Sequence, residues 1–162
     1  VVIPRRGFDE MIRMCCELGV DLVQPLCSKR SALQIEEKPS RWEAILREAV
    51  EQSERLWLPN LLPTVNASNF WNKPNFKKFL ALATTRVDDL NHLNFFLEKF
   101  SPSFEEAWVA IGPEGGWTEK ELTLVSNSDS TKVQFGEIIL RTSTAAVSAA
   151  QLMASWRRNI IR

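Results

Sequence analysis

The chain has 162 residues, of which 44% are hydrophobic and 25% are charged, values that are typical of one globular domain with a substantial core. Its 20 basic and 20 acidic residues give a formal net charge of zero, so any affinity for nucleic acid must come from local clusters of Lys and Arg. The sequence has no apolar run of about 18 residues and no zinc-binding pattern of Cys and His, so we expect neither a membrane span nor a metal site. The sparse cysteines Cys15, Cys16 and Cys27 are interpreted as reduced thiols of a cytoplasmic protein.

Helix-like and strand-like segments alternate along the chain. Apolar spacing predicts, in chain order, strand 1–3, helix 8–18, strand 20–26, helix 40–55, an irregular stretch 58–74, strand 79–83, helix 89–100, strand 107–111, helix 118–125, strand 132–135 and helix 145–157. Two capping boxes, Ser40 with Glu43 and Thr118 with Glu121, mark the expected starts of their helices. This alternation favours an α/β fold with a mostly parallel sheet that is flanked by helices on both faces.

The segment 112–116 is the strongest local candidate for a binding site. Three of the chain's six glycines fall within these five positions, between a predicted strand and a capped helix. Glycine permits unusual backbone angles and lets a ligand approach backbone N–H groups, although a tight turn without a ligand is an equally good interpretation. A dinucleotide fingerprint would require glycine where Glu114 and Trp117 stand, and the phosphate-loop motif is missing, so a nucleotide-like ligand would be held by backbone groups.

A second candidate is the segment 136–145, an apolar run that is followed by Arg141 and three hydroxyl residues. Thr142, Ser143 or Thr144 can cap the last helix, and we interpret these hydroxyls as capping groups in preference to catalytic ones. Arg141 precedes that helix, where its charge opposes the helix dipole. Its position therefore suggests an anionic ligand or partner, with a structural ion pair as the alternative.

Basic residues cluster near the ends of several predicted elements and could together form a phosphate-binding surface. Arg55 shares one face of its predicted helix with Glu48 and Gln52. Three interpretations of this set are open: it recognises the substrate, it forms a hydrogen-bonded structural network, or it is a solvent-exposed helix face. The candidates for RNA binding are Arg5, Arg6, Lys29, Arg30, Arg41 and Arg55.

Several segments, taken in order, resemble the RsmE family of SPOUT-class methyltransferases, which modify N3 of a uridine in small-subunit (16S) ribosomal RNA. The similar segments are 17–20 with ELGV, 25–31 with PLxSERS, 41–42 with RW, 48–55 with EAxEQSxR, 111–116 with IGPEGG and 140–145 with LRTETA. Each is short, but the ordered set spans almost the whole chain. Two positions differ from the family's usual residues, since Ile138 replaces Arg and Ser143 replaces Glu.

The resemblance implies a SPOUT α/β fold with a trefoil knot in its C-terminal portion, and a homodimer. Residues 1–162 would form the methyltransferase domain, without the PUA-like RNA-binding barrel that precedes it in the family. The implied cofactor is S-adenosylmethionine (SAM), lying on the knotted loops. The residues implied to bind it are Leu82, Ile111, Gly112, Gly115, Gly116, Phe135, Gly136, Ile139, Leu140, Thr144 and Ala145.

The reaction that the resemblance implies is methylation of uracil N3, which must lose its proton to become a good nucleophile. We expect Arg141 to stabilise the negative charge that develops on the base, with Arg30 as second choice, and Glu114 to accept the proton. Two alternatives stay open: a non-catalytic module that binds the cofactor or RNA, and a SPOUT enzyme with another RNA target. The replacements at positions 138 and 143 favour the non-catalytic module, whereas the intact segment 112–116 favours an enzyme.

Overall fold

Short strands alternate with helices in the computed structural model, which describes residues 1–31, 37–72, 78–85, 89–101, 103–126 and 130–160. The helices are α1 (Phe8–Glu17), α2 (Pro39–Gln52), α3 (Ala67–Trp71), α4 (Leu93–Leu97), α5 (Glu119–Ser126) and α6 (Thr142–Ile160). The strands are β1 (Leu22–Val23), β2 (Leu26–Cys27), β3 (Asn60–Leu61), β4 (Val65–Asn66), β5 (Lys78–Ala83), β6 (Asn91–His92), β7 (Glu106–Ala110) and β8 (Ser130–Gln134). None of these helices is long and apolar enough to cross a membrane.

The strands pair in parallel throughout the described residues, as the alternation of strands and helices predicts. The main sheet has four strands in the order β6-β8-β5-β7, and the pairs β1-β3 and β2-β4 form two smaller sheets. Strand β5 lies between β8 and β7, and its Leu82 is opposite Ala110 of β7 and Lys132 of β8. The predicted α/β fold with a mostly parallel sheet is therefore confirmed, whereas the trefoil knot stays a prediction.

Helices cover both faces of the main sheet because strand side chains alternate between two apolar cores. On β5, Ala81 packs in a core with residues of α1, α2, α4 and α6. Leu80 and Leu82 point the other way and pack in a second core with residues of α3 and α5. A strand that is buried on both faces needs apolar residues at successive positions, which explains the continuous apolar run of β5.

The two predicted capping boxes have different outcomes. The box at residues 40–43 is wrong, because α2 begins at Pro39 with Lys38 as its N-cap and no side chain caps it. Proline suits the first helical position, since its ring fixes φ and its missing N–H would have no helical partner there. The second box is confirmed: the Glu121 carboxylate accepts from the Thr118 N–H at 2.8 Å, and the Thr118 hydroxyl accepts from the Glu121 N–H at 3.3 Å.

Several predicted segments are shorter or more broken than their apolar patterns indicate. Residues 1–3 contribute an isolated bridge to Leu26 in place of a regular strand. The predicted strand 20–26 is divided into β1 and β2 around Pro25, which has no N–H to donate to a ladder. The predicted helix 89–100 is reduced to α4, because the residues before it pair as β6 with β8.

The stretch 58–74, expected to be irregular, contains short elements as far as the structure describes it. β3, β4 and α3 follow one another there, and residues 73 and 74 lie outside the described part. Asn66 caps α3, since its side-chain oxygen accepts from the N–H of Ser68 at 3.0 Å.

The three cysteines are free thiols. Cys15 and Cys16 are buried on α1, and Cys27 is half-buried on β2. Burial raises the pKa of Cys15 to about 11, so this thiol stays protonated at neutral pH and is a poor nucleophile.

Arg55 holds the fold together, although the sequence placed it among the RNA-binding candidates. Its side chain is only 9% exposed. One guanidinium nitrogen donates to the carbonyl oxygens of Cys16 at 2.7 Å and Val20 at 2.8 Å, and the other lies 3.2 Å from a carboxylate oxygen of Asp21. Because these contacts tie the end of α1 to the segment after α2, the guanidinium is not available to phosphate, and we leave Arg55 out of the proposed RNA-binding surface.

Replacing Arg55 with alanine removes the donor from two backbone carbonyls and is expected to lower the free energy of unfolding by roughly 2–4 kcal/mol. Urea denaturation followed by tryptophan fluorescence measures the change. Arg47→Ala is the matched control on α2, because the Arg47 side chain is 68% exposed and its ion pair with Glu43 is 3.8 Å long. The control is expected to change stability by less than about 0.5 kcal/mol, and equal losses in both variants would contradict the structural role of Arg55.

Candidate functional site

Neighbouring parallel strands of the main sheet end at the same edge, and a cavity of about 600 Å³ lies beyond it. Its wall is formed by residues that follow β5, β7 and β8, by one face of α5 and the start of α6, and by Arg30 and Lys132. In open parallel sheets, ligands bind in the crevice beyond the carboxyl ends of the strands. The volume also falls within the range of small-molecule sites, which is roughly 300–1,000 Å³. Position and size together make this cavity the candidate site.

The first turn, residues 111–117 after β7, is held by hydrogen bonds to its carbonyl groups. The pairs are Val2 N–H to Ile111 O at 2.8 Å, the Thr142 hydroxyl to Gly112 O at 2.8 Å, Gly116 N–H to Pro113 O at 2.8 Å, and the Arg30 guanidinium to Gly115 O at 3.0 Å and to Trp117 O at 3.1 Å. Most of these donors come from distant parts of the sequence. The shape of the turn is therefore fixed by tertiary contacts and not by its own residues alone.

Two amides of the first turn, those of Gly112 and Glu114, are left available by this arrangement. In a trans peptide the N–H points opposite to the C=O of the same unit. The carbonyls of Ile111 and Pro113, which share peptide units with the amides of Gly112 and Glu114, are bonded within the protein. Within the part of the chain that the structure describes, neither amide has an acceptor, and both residues line the cavity. Each can therefore donate to a ligand.

Glycine is required in the first turn for two different reasons. A Cβ at Gly112 would lie 2.8 Å from the indole ring of Trp117, closer than real contacts allow. Gly116 has a φ of +71°, a left-handed conformation that costs other residues about 1–2 kcal/mol. Trp117 cannot easily give way, because it is buried and its indole N–H donates to the carbonyl of Ala83 at 3.1 Å.

The second turn, residues 135–141 between β8 and α6, forms an apolar side of the cavity. Phe135, Ile138, Ile139 and Leu140 line it. Ile138 is 79% exposed and Ile139 is 65% exposed. Exposed isoleucines beside a cavity favour a ligand with apolar surface, because covering them removes that surface from water. The amides of Ile139 and Leu140, like those of Gly112 and Glu114, have no acceptor among the described residues.

The structure brings the two segments singled out in the sequence to this one cavity. Of the residues that the resemblance implies for the cofactor, those that line it are Ile111, Gly112, Gly116, Phe135, Ile139, Leu140 and Ala145. Gly115, Gly136 and Thr144 are next to lining residues in the chain without lining the cavity themselves. Leu82 is fully buried in the core behind the first turn, so its contribution is packing.

Glu114 and Arg141, the predicted catalytic pair, lie on the exposed side of the site. Glu114 lines the cavity, and Arg141 lies between two lining residues, Leu140 and Thr142. Both charged residues are exposed. Among the described residues no carboxylate pairs with Arg141, so the structural ion pair considered for it does not form there. Its positive charge is therefore available to an anion.

The hydroxyl residues after Arg141 do not have the capping arrangement that the sequence predicts. α6 begins at Thr142, three residues before the predicted start at Ala145. The Thr142 hydroxyl donates to the carbonyl of Gly112 at 2.8 Å and does not accept from the helix. The first turn of α6 instead begins with Ala145 N–H donating to Arg141 O at 2.8 Å.

The basic candidates for RNA binding differ in how available their charges are. Arg5, Arg6 and Lys29 are exposed. Arg41 is 64% exposed, but its guanidinium donates to the carboxylate of Asp9 on α1 at 2.6 Å. Arg30 lines the cavity, and its guanidinium is hydrogen-bonded to the first turn. Arg30 is also exposed, but two backbone carbonyls already accept from its guanidinium.

Polar residues of the cavity wall were missed in the sequence. Thr84 and Thr85 follow β5, and Lys132 lies on β8. The signal for the threonines is their place directly after a buried strand, because neighbouring parallel strands end at a common edge. Trp117 carries no comparable signal, since its contact with Ala83 joins residues far apart in the sequence.

The sequence of the chain matches a known family over most of its length. The family model described as the RNA methyltransferase domain matches residues 1–154. The chain belongs to this family. The Ribosomal RNA small subunit methyltransferase E of Synechocystis sp. is 37% identical over 158 residues, which are 95% of this chain and 52% of that protein. The chain thus spans about half the length of this curated relative.

Solved structures of two related proteins have the same fold. The Ribosomal RNA small subunit methyltransferase E of Neisseria gonorrhoeae, crystallised with SAM bound, gives a TM-score of 0.79 at 28% identity and covers 96% of this chain and 62% of that one. A Legionella pneumophila protein, also in complex with SAM, gives 0.79 at 25% identity and covers 95% and 64%. With the family match, these likenesses confirm the resemblance to the RsmE family.

We predict that Gly112→Ala lowers the free energy of unfolding by about 1–3 kcal/mol, because the added Cβ would push Gly112 and Trp117 apart. Gly115→Ala is the control, since its Cβ would lie 3.3 Å from the Arg30 Cβ, where a small shift relieves the contact. The control should lose less than about 1 kcal/mol. Thermal unfolding followed by circular dichroism distinguishes the two, and losses of the same size would contradict the packing described for the first turn.

Proposed function

We propose that the chain is the catalytic part of a SAM-dependent methyltransferase that modifies N3 of a uridine in small-subunit ribosomal RNA. The observation that carries the proposal is the cavity that both turns share at the carboxyl edge of the sheet. Membership of the family and the name of the Synechocystis relative support the reaction and the RNA. Because the chain covers 52% of that relative, the relative's activity and its RNA are proposals for this chain.

The residues of the two turns fit SAM chemically. The cofactor's ribose, adenine and carboxylate offer acceptor atoms, and the amides of Gly112 and Glu114 are donors without a partner in the described structure. Its adenine ring has apolar faces that match Phe135, Ile139 and Leu140. We propose that both sets of groups, one from each turn, bind the cofactor.

The acid–base problem of the reaction sets what the protein must supply. Bound SAM supplies an electrophilic methyl group, but uracil N3 carries a proton and is a poor nucleophile until that proton leaves. If the pKa of N3 lies about two units above neutral, ionisation costs on the order of 2.7 kcal/mol. A hydrogen bond from a charged donor contributes roughly 1.5–3 kcal/mol, which is enough to offset this cost.

Arg141 is the charged donor that we propose, and Glu114 is the proposed proton acceptor. Arg141 is exposed beside the cavity with no ion-pair partner in the described residues, so its guanidinium can donate to a uracil oxygen. Glu114 lines the cavity, and Arg141 lies between the lining residues Leu140 and Thr142, so we propose that a base placed there reaches both groups. These roles place the charge that develops on the base next to a cation and the departing proton next to a carboxylate.

The exposed cations Arg5, Arg6 and Lys29 are proposed to contact RNA phosphates. Arg41 can join them if RNA replaces its aspartate partner. Arg30 would act from the cavity side, since it binds the first turn. Because the net charge of the chain is zero, binding to RNA phosphates requires such a local group of cations.

We further propose one SPOUT domain over residues 1–162, a homodimer and a cytoplasmic location. An open, largely apolar groove of about 550 Å³ lies between α1, β7 and α6, lined in part by Ala149, Ala150 and Met153. A second copy of the chain is the occupant that we propose for it, as the resemblance implies. The free cysteines support a reducing compartment. Sedimentation equilibrium that gave a monomer mass at micromolar concentration would contradict the dimer.

A second candidate function is a non-catalytic module, which binds SAM or RNA but does not transfer a methyl group. Ile138, where the family usually has Arg, is 79% exposed at the cavity, and Ser143 stands where the family usually has Glu. Transfer of tritiated methyl groups from SAM to unmodified small ribosomal subunits separates the candidates. Methylated RNA supports the enzyme, SAM binding without transfer supports the module, and mapping of the modified nucleotide tests the target.

We predict that Arg141→Ala lowers the rate of methyl transfer at least about tenfold and changes the Kd for SAM less than about twofold, because its side chain acts on the base and not on the cofactor. Calorimetry measures the Kd, and tritium transfer measures the rate. Arg158→Ala, an exposed arginine near the other end of α6, is the control and should keep both values. Normal turnover by Arg141→Ala would refute the assigned role.

A further inference from the structure

A buried hydrogen bond joins the start of α6, directly after the second turn, to the first turn. The Thr142 hydroxyl donates to the carbonyl oxygen of Gly112 at 2.8 Å, although the two residues are 30 positions apart in the chain. Thr142 is only 2% exposed and is the first residue of α6. The bond therefore fixes the start of a 19-residue helix against the first turn.

We propose that Thr142 is a positioning residue, whose hydroxyl holds the two turns at the separation that the cofactor requires. This inference rests on the proposed function, because it assigns Thr142 a role in the same site. It adds a residue whose effect passes through the backbone of Gly112.

Among the residues that the structure describes, the peptide between Gly112 and Pro113 has no other hydrogen bond to keep it in place. Proline has no N–H, so the carbonyl of Gly112 is the only polar group of that peptide unit. In the described part of the chain, Thr142 is the donor to it. The Trp117 ring packs against Gly112 as well, within 2.8 Å of where a Cβ would lie. Removing the hydroxyl would leave this peptide restrained by packing alone.

Threonine suits this role better than other residues. Its branched Cβ restricts χ1, so the hydroxyl is oriented before any ligand binds. Valine has nearly the same shape without the donor, and serine keeps the donor with fewer restrictions on its rotamer. The pair of substitutions therefore separates the hydrogen bond from the volume of the side chain.

The test measures hydrogen exchange of the Gly116 amide, which donates to the carbonyl of Pro113 at 2.8 Å, in the unliganded protein, and the Kd for SAM in the same variants. In Thr142→Val we expect exchange of this amide to be faster by roughly tenfold and the Kd to rise roughly tenfold, the effect of one lost hydrogen bond. Thr142→Ser should stay within about threefold of the unmodified chain in both. Thr131→Val, an exposed threonine of β8, is the matched control and should change neither value.

The outcomes distinguish this inference from the proposed function. The inference is overturned, while the proposed function stands, if the amide exchange rate in Thr142→Val equals that of the unsubstituted chain. It is also overturned if exchange is faster but the Kd for SAM is unchanged. An unmodified chain that binds no SAM overturns the proposed function and the inference with it, and the exchange data then show whether the hydroxyl restrains the turn. Should Thr142→Val fail to fold by circular dichroism, Thr142→Ala compared with Thr142→Ser gives the same contrast.

Discussion

The candidate site depends on hydrogen bonds that distant parts of the chain donate to the carbonyl groups of the first turn. Val2 at the start of the chain, Arg30 in the segment after β2 and Thr142 at the start of α6 each provide a donor. Val2 and, within the turn, Gly116 satisfy the carbonyls of Ile111 and Pro113, whose peptide units carry the amides of Gly112 and Glu114; in the described structure these two amides are left as donors for a ligand. Binding groups that are already held in place lose little entropy when they bind, which favours affinity.

The parallel sheet explains why the two turns meet. β5, β7 and β8 are neighbours and run in the same direction, so the segments that follow them leave from one edge. The helices on both faces bury the strands and keep that edge in a fixed place. The first turn then provides polar backbone groups and the second provides apolar side chains, a combination that suits a nucleoside with a charged tail.

Local patterns were sufficient for some of these features and insufficient for others. The strand β5, the capping box at Thr118 and the glycine-rich first turn follow from residues close together in the sequence. The burial of Arg55 does not, because its carbonyl acceptors lie 35 and 39 positions away. The start of α2 was misplaced since Pro39 competes with a capping box one residue later.

The features of the site also divide into those that local sequence patterns predict and those that they do not. Both turns could be singled out from their glycines and from the cation before the last helix. Their meeting at one cavity follows from tertiary structure, and the resemblance to a known family anticipated it. The hydroxyl of Thr142 has a local interpretation as a helix cap, but its acceptor is Gly112, 30 positions away. A long-range bond of this kind leaves no trace in spacing or composition.

The central claim is that the two turns form a single binding site for SAM. Titration of the isotope-labelled chain with SAM, followed through the two-dimensional NMR signals of its backbone amides, tests this most directly. The amides of Gly112 and Glu114 in the first turn and of Ile139 and Leu140 in the second should shift together and give the same dissociation constant. Shifts confined to one turn, or absent from both, would contradict the claim.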